Sequence, residues 1–195
     1  HFLYNILDTI NWKAIENEQY EISEMLVALA DILRYAINDA GEFTTIDAEK
    51  GWLEKYILLQ QEKLGEEIEL EFKIQDSYGK CKIHKMLLQP FVENAIVHGF
   101  ENVSTCCKVT VTAAQRKNRM HFEITDTGIG MSQSQIDEIW EEEPDAYRKQ
   151  RIGRYAIKNI RERLERRYKE DFILEIKSEV GKGTTVILEL PCEEK

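Results

Sequence analysis

The 195-residue chain has no excess of basic residues: 36 acidic side chains stand against 26 basic ones, a formal net charge of −10. A broad electrostatic pull toward nucleic acid or anionic lipid is therefore not expected, and any anion it binds must be recognised locally. Four cysteines, Cys81, Cys106, Cys107 and Cys192, show neither C-x-x-C spacing nor the framework of a small disulfide-stapled domain. They read as packing thiols in a reducing compartment. No apolar run approaches the ~20 residues needed to span a bilayer. The opening HFLYNILDTINW lacks the basic segment and apolar stretch of a secretion signal. Internal repeats and low-complexity tracts are also missing. The chain opens on His1 rather than Met, so a fragment is expected, with an upstream portion that includes membrane spans lying outside it.

What is present suits one or two small domains, since 43% of the residues are hydrophobic. From Ile6 to Ile37, without a proline, apolar residues return at helical spacing (Ile22, Met25, Leu26, Leu29, Ile32, Leu33), which predicts one long amphipathic helix. Gly41 ends it. Thr45 with Asp47 supplies a cap for a second helix over Ala48–Leu64, closed by Gly65. Two long helices with a short connection make a hairpin, and its apolar surface must pack on the next domain, on a second copy, or on both.

After Gly65 the period changes to two: Ile68, Leu70, Phe72 and Ile74 alternate with charged residues, as in a half-buried strand. An apolar helix over about Lys85–Phe100 follows, then strands at Lys108–Ala114 and Met120–Thr125 and a helix at Ser132–Trp140. Beyond a charged stretch, Glu141–Arg151, come a helix at Tyr155–Tyr168 and strands at Phe172–Lys177 and Thr184–Leu190. The expected fold class is α+β: a helical hairpin at residues 1–65, then an α/β sandwich at residues 66–195 with helices on one face of a mixed sheet.

Four segments carry candidate chemistry. In LLQPFVENAIVHGF the apolar face is interrupted by Glu93, Asn94 and His98, and residues four apart project to one side of a helix. Their oxygens and imidazole can hold a hydrated cation and its phosphates; read alone, the competing reading is a helix whose polar residues merely face water. In HFEITDTGIGM, Met120, Phe122 and Ile124 mark a strand that runs into Asp126, Gly128 and Gly130. A buried carboxylate there can accept from an exocyclic amine while glycines admit a flat ligand, as adenine recognition requires. A plain Asp-Gly turn is the competing reading, and the triplet Asp-Thr-Gly also occurs in aspartic proteases, which need two such carboxylates. RIGRYAIKNIRERL places Gly153 before a basic helix with Asn159, either a phosphate site at a helix N-terminus or a solvated basic face. GKGTT at Gly181–Thr185 is a hairpin turn or a source of donors for phosphate.

Together and in this order the four segments resemble the asparagine box, the two glycine boxes and the terminal G-x-G-T box of the ATPase fold shared by histidine kinases, gyrase and heat-shock chaperones. The opening HFLYN with two helices further resembles the LytS-type sensor kinases. The resemblance implies ATP and Mg²⁺ as ligands, His1 as phosphoacceptor with Asn5 beside it, and Glu93 polarising the nucleophile. It implies Asn94 on Mg²⁺, His98 on the phosphate side, Asp126 accepting the adenine amine, and Gly128 and Gly130 shaping the purine pocket. Gly153, Asn159 and Thr184 would lie around the phosphates, and residues Glu141–Arg151 would form the lid. It further implies a homodimer, transfer of the phosphoryl group to an aspartate on a response regulator receiver domain, and an upstream sensor region, with this chain the cytoplasmic portion of a bacterial inner-membrane protein. One departure stands out: Arg154 and Ala156 occupy positions where the family has glycines. That motivates an alternative, a nucleotide-binding or dimerisation module that signals by conformation. HFLYN disfavours a serine/threonine kinase of the same fold.

Overall fold

The computed structural model describes residues 1–37, 41–100, 107–140 and 152–192, side chains at 98 and 152–156 excepted. Its N-terminal part is an array of three helices, α1 (Phe2–Glu16), α2 (Tyr20–Ile37) and α3 (Ile46–Leu64). The expected single helix over Ile6–Ile37 is therefore two. The break falls in the polar run Glu16–Gln19, where Glu18 adopts a left-handed φ of 59° and Asn17 returns its Nδ2–H to the Lys13 carbonyl at 2.7 Å. Apolar periodicity passes over such a break because the turn contains no apolar residue to fall out of phase. α1 and α2 run antiparallel: Ser23 Oγ donates to Asn11 Oδ1 at 2.6 Å near the turn, and Arg34 lies over the Tyr4 ring at 5.8 Å at the open end.

Thr45 caps α3 by accepting from the Ala48 N–H at 3.2 Å, and Gly65 closes it at φ 68°, a left-handed conformation that costs glycine little. Helix α3 sits against α2 through a Lys55–Asp31 ion pair and the Tyr35–Trp52 ring pair at 6.2 Å. Its other side is buried: Ile46, Trp52, Leu53 and Ile57 belong to the same apolar core as the sheet.

That sheet has five strands in the order β2 (Ile68–Ile74), β4 (Cys107–Arg116), β5 (Arg119–Asp126), β7 (Gly183–Pro191), β6 (Ile173–Glu179). The β2–β4 pair is parallel and the others antiparallel. A separate two-stranded ladder pairs β1 (Phe43–Thr45) with β3 (Lys82–His84), just ahead of α3. Helices α4 (Gln89–Asn94), α5 (Gln133–Trp140) and α6 (Ile152–Tyr168) complete the described fold. Alternate residues of the central strands point into the core: Cys107, Val109, Val111 and Ala113 on β4, and Met120, Phe122, Ile124 and finally Asp126 on β5. The expected helix over Lys85–Phe100 is shorter. Pro90 sits in its first turn, where its missing N–H costs nothing, and after Asn94 the chain widens into a π-helical turn, Ala95–Gly99. Among the described residues no helix is long and apolar enough to cross a membrane.

Candidate functional site

Strand alternation carries Asp126 inward at the last residue of β5, leaving it 8% exposed. Its Oδ1 accepts two backbone N–H bonds, from Gly128 at 2.8 Å and from Thr184 at 3.2 Å. Burial raises its pKa above the usual carboxylate value, and these two donors partly offset the rise. Among the described residues both bonds end on one oxygen, which leaves the acceptor capacity of Oδ2 unused.

The glycines around it are needed for close approach of backbone. A Cβ on Gly128 would stand 2.2 Å from the Gly99 carbonyl oxygen, and one on Gly183 2.0 Å from the Asp126 carbonyl oxygen. One on Gly130, at φ 65°, would stand 2.0 Å from the Glu179 carbonyl oxygen. Hydrogen bonds thread the same junction: Ile129 N–H to Gly99 O, Gly181 N–H to Ile129 O, and Met131 N–H to Ser178 Oγ, each at 2.7 Å. Ser178 Oγ in turn donates to the Gly183 carbonyl at 2.8 Å and lies 2.9 Å from Thr184 Oγ1. Asp126, Gly128, Gly130 and Thr184, far apart in the sequence, are thus brought together. Gly99, Gly183 and Ser178 join them without having been singled out. Gly183 stands in the GKGTT segment, whereas Ser178 carries no local signal at all.

Glu93 and Asn94 close helix α4, one π-helical turn before Gly99. Gln89 Nε2 donates to Glu93 Oε1 at 3.3 Å. Tyr56 of α3 reaches the same carboxylate; burial first, and then the Glu93 charge, push its hydroxyl up to about 12, so it stays a donor. The Asn94 amide is half-buried, and its enclosed Nδ2 has no hydrogen-bond partner among the described residues. An unused donor beside an amide oxygen suits a phosphate oxygen on one side and a hydrated cation on the other. His98 lies in the π-helical turn, and its side chain falls outside the described residues.

The remaining expectations sit elsewhere. His1 is exposed at the start of α1, with Asn5 Nδ2 3.2 Å from its Nδ1. Gly153 lies inside the first turn of α6 rather than in a loop before it, because the helix begins at Ile152. Asn159 is exposed on α6 and lines a cleft with Glu42, His84, Lys85 and Arg163, which holds none of the Asp126 cluster. The stretch expected to be a lid, 141–151, lies outside the described residues.

A buried carboxylate and a glycine-lined junction next to an asparagine-bearing helix form the candidate site. Comparison with known proteins gives the class to which the chain belongs. Residues 82–194 match the model of the histidine kinase-, DNA gyrase B-, and HSP90-like ATPase family, and residues 1–68 that described as histidine kinase. The chain belongs to the histidine kinase-, DNA gyrase B-, and HSP90-like ATPase family. It is 32% identical over 193 residues to the sensor histidine kinase YesM of Bacillus subtilis (strain 168), covering 98% of this chain and 31% of that protein. To the sensor protein LytS of Bacillus anthracis it is 26% identical over 192 residues, covering 98% of this chain and 32% of that one. The chain therefore spans about a third of the length of these relatives. Its fold is shared with the histidine kinase domain of the Erythrobacter litoralis EL346 blue-light activated histidine kinase, at TM-score 0.53 and 14% identity over 88% of this chain and 75% of that one. It is also shared with full-length ShkA in complex with AMPPNP, at TM-score 0.55 and 17% identity over 88% of this chain and 36% of that one.

Proposed function

We propose that the chain is the catalytic region of a sensor histidine kinase, which binds ATP with Mg²⁺, moves the γ-phosphoryl group to His1 and passes it to an aspartate of a response regulator receiver domain. The observation that carries the reading is Asp126: an inward carboxylate pinned on one oxygen by two backbone amides, with the other left to accept the adenine amine. Gly128 and Gly130 would shape the purine pocket by letting the backbone of Gly99 and Glu179 pack closely against the loop, and Thr184 would flank it. His98 and Gly153 are assigned to the phosphate side from the order of the motifs alone. Asn159 is assigned there on the same ground, although it faces another cleft.

Asn94 would hold Mg²⁺, which when bound neutralises charge on the phosphates. The transfer then needs positioning above all. A neutral imidazole nitrogen of His1 attacks the γ-phosphorus as the bond to the bridging oxygen breaks and ADP leaves. Glu93, held by Gln89 and Tyr56, would polarise the imidazole and take its proton. Asn5, donating Nδ2–H to Nδ1, would keep the imidazole proton on Nε2, so that its removal by Glu93 frees that nitrogen to attack. Residues 1–65 would carry the acceptor and residues 66–195 the nucleotide.

A homodimer is supported by the apolar side chains left exposed on the first two helices, among them Phe2 (78%), Trp12 (67%) and Tyr20 (64%). We assign an upstream sensor region, membrane-embedded, to the remainder of the protein. Calorimetric titration with ADP and a non-hydrolysable ATP analogue, with and without Mg²⁺, tests the central claim. Saturable binding strengthened by Mg²⁺ is expected; no binding at millimolar nucleotide refutes it.

A further inference from the structure

Glu49 is a carboxylate with 0% exposure, on the face of α3 that packs into the core. Its Oε1 accepts the Leu88 N–H at 2.6 Å and the Gln89 N–H at 3.3 Å, and its Oε2 accepts the Tyr35 hydroxyl of α2 at 3.4 Å. Leu88 and Gln89 are the residues where α4 starts, so Glu49 satisfies N–H groups that no carbonyl within the helix can reach. Arg163 of α6 faces the same carboxylate electrostatically and donates Nη2–H to the Met86 carbonyl at 2.9 Å. Met86 itself is held at a left-handed φ of 58°. Four helices thus converge on one buried acid.

A residue of α4 or its own approach could have capped it, as Ser, Asp or Asn does for most helices. A carboxylate delivered from another helix is a costly way to make that cap, since ionised it must be desolvated. What it adds is registration: the helix that bears Glu93 and Asn94 is located relative to α3 rather than to its own loop. Tyr56, also on α3, reaches Glu93 five residues further along. Helix α3 therefore grips α4 at both ends.

We propose that Glu49 is a positioning residue, which sets helix α4 from α3 so that Asn94 and Glu93 meet the metal-bearing phosphates. The inference rests on the nucleotide-binding reading above. Glu49→Gln tests it, because the amide keeps the length and one accepting oxygen while losing the charge; circular dichroism checks that the variant folds. Both proteins are titrated with ADP alone and with ADP plus Mg²⁺. Metal-free affinity, governed by Asp126, should stay within about twofold, while the gain on adding Mg²⁺ should fall on the order of tenfold at about pH 8.5, the size typical of outer-shell changes at metal sites. The ionisable groups facing Glu49 are Tyr35 from α2 and Arg163 from α6. As the parent acid protonates toward about pH 6, parent and variant should converge.

A folded Glu49→Gln with the parent's Mg²⁺ gain at both pH values overturns the proposal. So does equal loss of metal-free and metal-dependent affinity, which marks a merely structural residue. If Glu49→Gln does not fold, Tyr35→Phe weakens the same carboxylate's anchorage, and a parent-like Mg²⁺ gain there overturns the proposal too. A parent that binds no nucleotide at all sinks the functional reading and this inference with it, whereas binding by the parent with indifference to Glu49 sinks the inference alone.

Discussion

Replacing Asp126 with asparagine separates ligand recognition from folding. Asp126 Oδ1 already serves the Gly128 and Thr184 amides at 2.8 and 3.2 Å, so the asparagine carbonyl oxygen can take over both bonds. That orientation places Nδ2 where Oδ2 was, and an amide N–H₂ then faces the exocyclic N–H₂ of adenine: two donors and no acceptor. The lost bond is charge-assisted, on the order of 1.5–3 kcal/mol. In affinity this is about 10- to 150-fold. Stability should move in neither direction by more than about 1 kcal/mol, because the substitution also removes a carboxylate whose burial already disfavours its charge.

Two measurements read the result: calorimetric ADP affinity and the urea midpoint of the ligand-free protein. A weakened affinity with an unchanged midpoint is expected. Parent-like affinity would mean that the carboxylate is not the adenine acceptor. A loss of affinity matched by a lowered midpoint would mean that Asp126 holds the Gly128–Thr184 junction together and reads no ligand.

Asn94→Ala should leave metal-free nucleotide binding near the parent value and abolish its Mg²⁺ dependence; equal Mg²⁺ sensitivity in the two proteins would remove Asn94 from the metal's ligands. Gly130→Ala places a methyl group 2.0 Å from the Glu179 carbonyl oxygen at φ 65° and should cost more than ~2 kcal/mol in urea unfolding. Gly51→Ala, inside α3 with nothing within 4 Å of the new methyl, should instead gain about 0.5–1 kcal/mol, and similar values for the two would mean the Gly130 contact is not there. Burial pushes Glu49 up to about 7 from an ordinary 4.5. A raised acid stabilises the fold fully below the ordinary value and loses that contribution as pH rises through the folded one. The parent should therefore lose on the order of 2–3 kcal/mol relative to Glu49→Gln between about pH 5 and pH 8, and parallel pH profiles would refute the shift.

Local rules made part of this molecule legible. The period-two run Met120, Phe122, Ile124 fixes which face Asp126 takes, because the next inward position on the strand is 126. Thr45 and Gly65 bracket α3 by cap chemistry that needs no partner beyond the helix itself. What stayed hidden is non-local. Glu49 stands between Ala48 and Lys50 and reads as one more solvated charge, since its burial depends on amides 39 and 40 residues further along the chain. The parallel pairing of β2 with β4 spans the whole of α4, a separation that no strand pattern encodes. Asn159 is a further case: its place in the motif does not disclose that on α6 it lines a cleft with Glu42, His84, Lys85 and Arg163.

Helix α3 is held differently on its two sides. Toward the sheet, α3 is preceded by a backbone ladder: β1 pairs with β3, and just beyond it the Ile46 and Asp47 N–H groups bond the Cys81 and Gly79 carbonyls at 3.2 and 2.9 Å. Four of its apolar side chains then enter the common core. Toward α2 the ties are side chains: Tyr35 to Glu49 and Trp52, Lys55 to Asp31, and Ile32 and Tyr35 packed against the edge of the common core. Half-exposed ion pairs are each worth about 1 kcal/mol or less, whereas emptying a core of several large apolar side chains costs 2–5 kcal/mol for each. Of the two sides of α3, the one toward the sheet therefore holds the more deeply buried apolar side chains, and the one toward α2 the half-buried ones. Tyr35 stands on the α2–α3 seam, and its hydroxyl touches the acid that caps the start of α4, so that seam lies one side chain from the helix that carries Glu93 and Asn94.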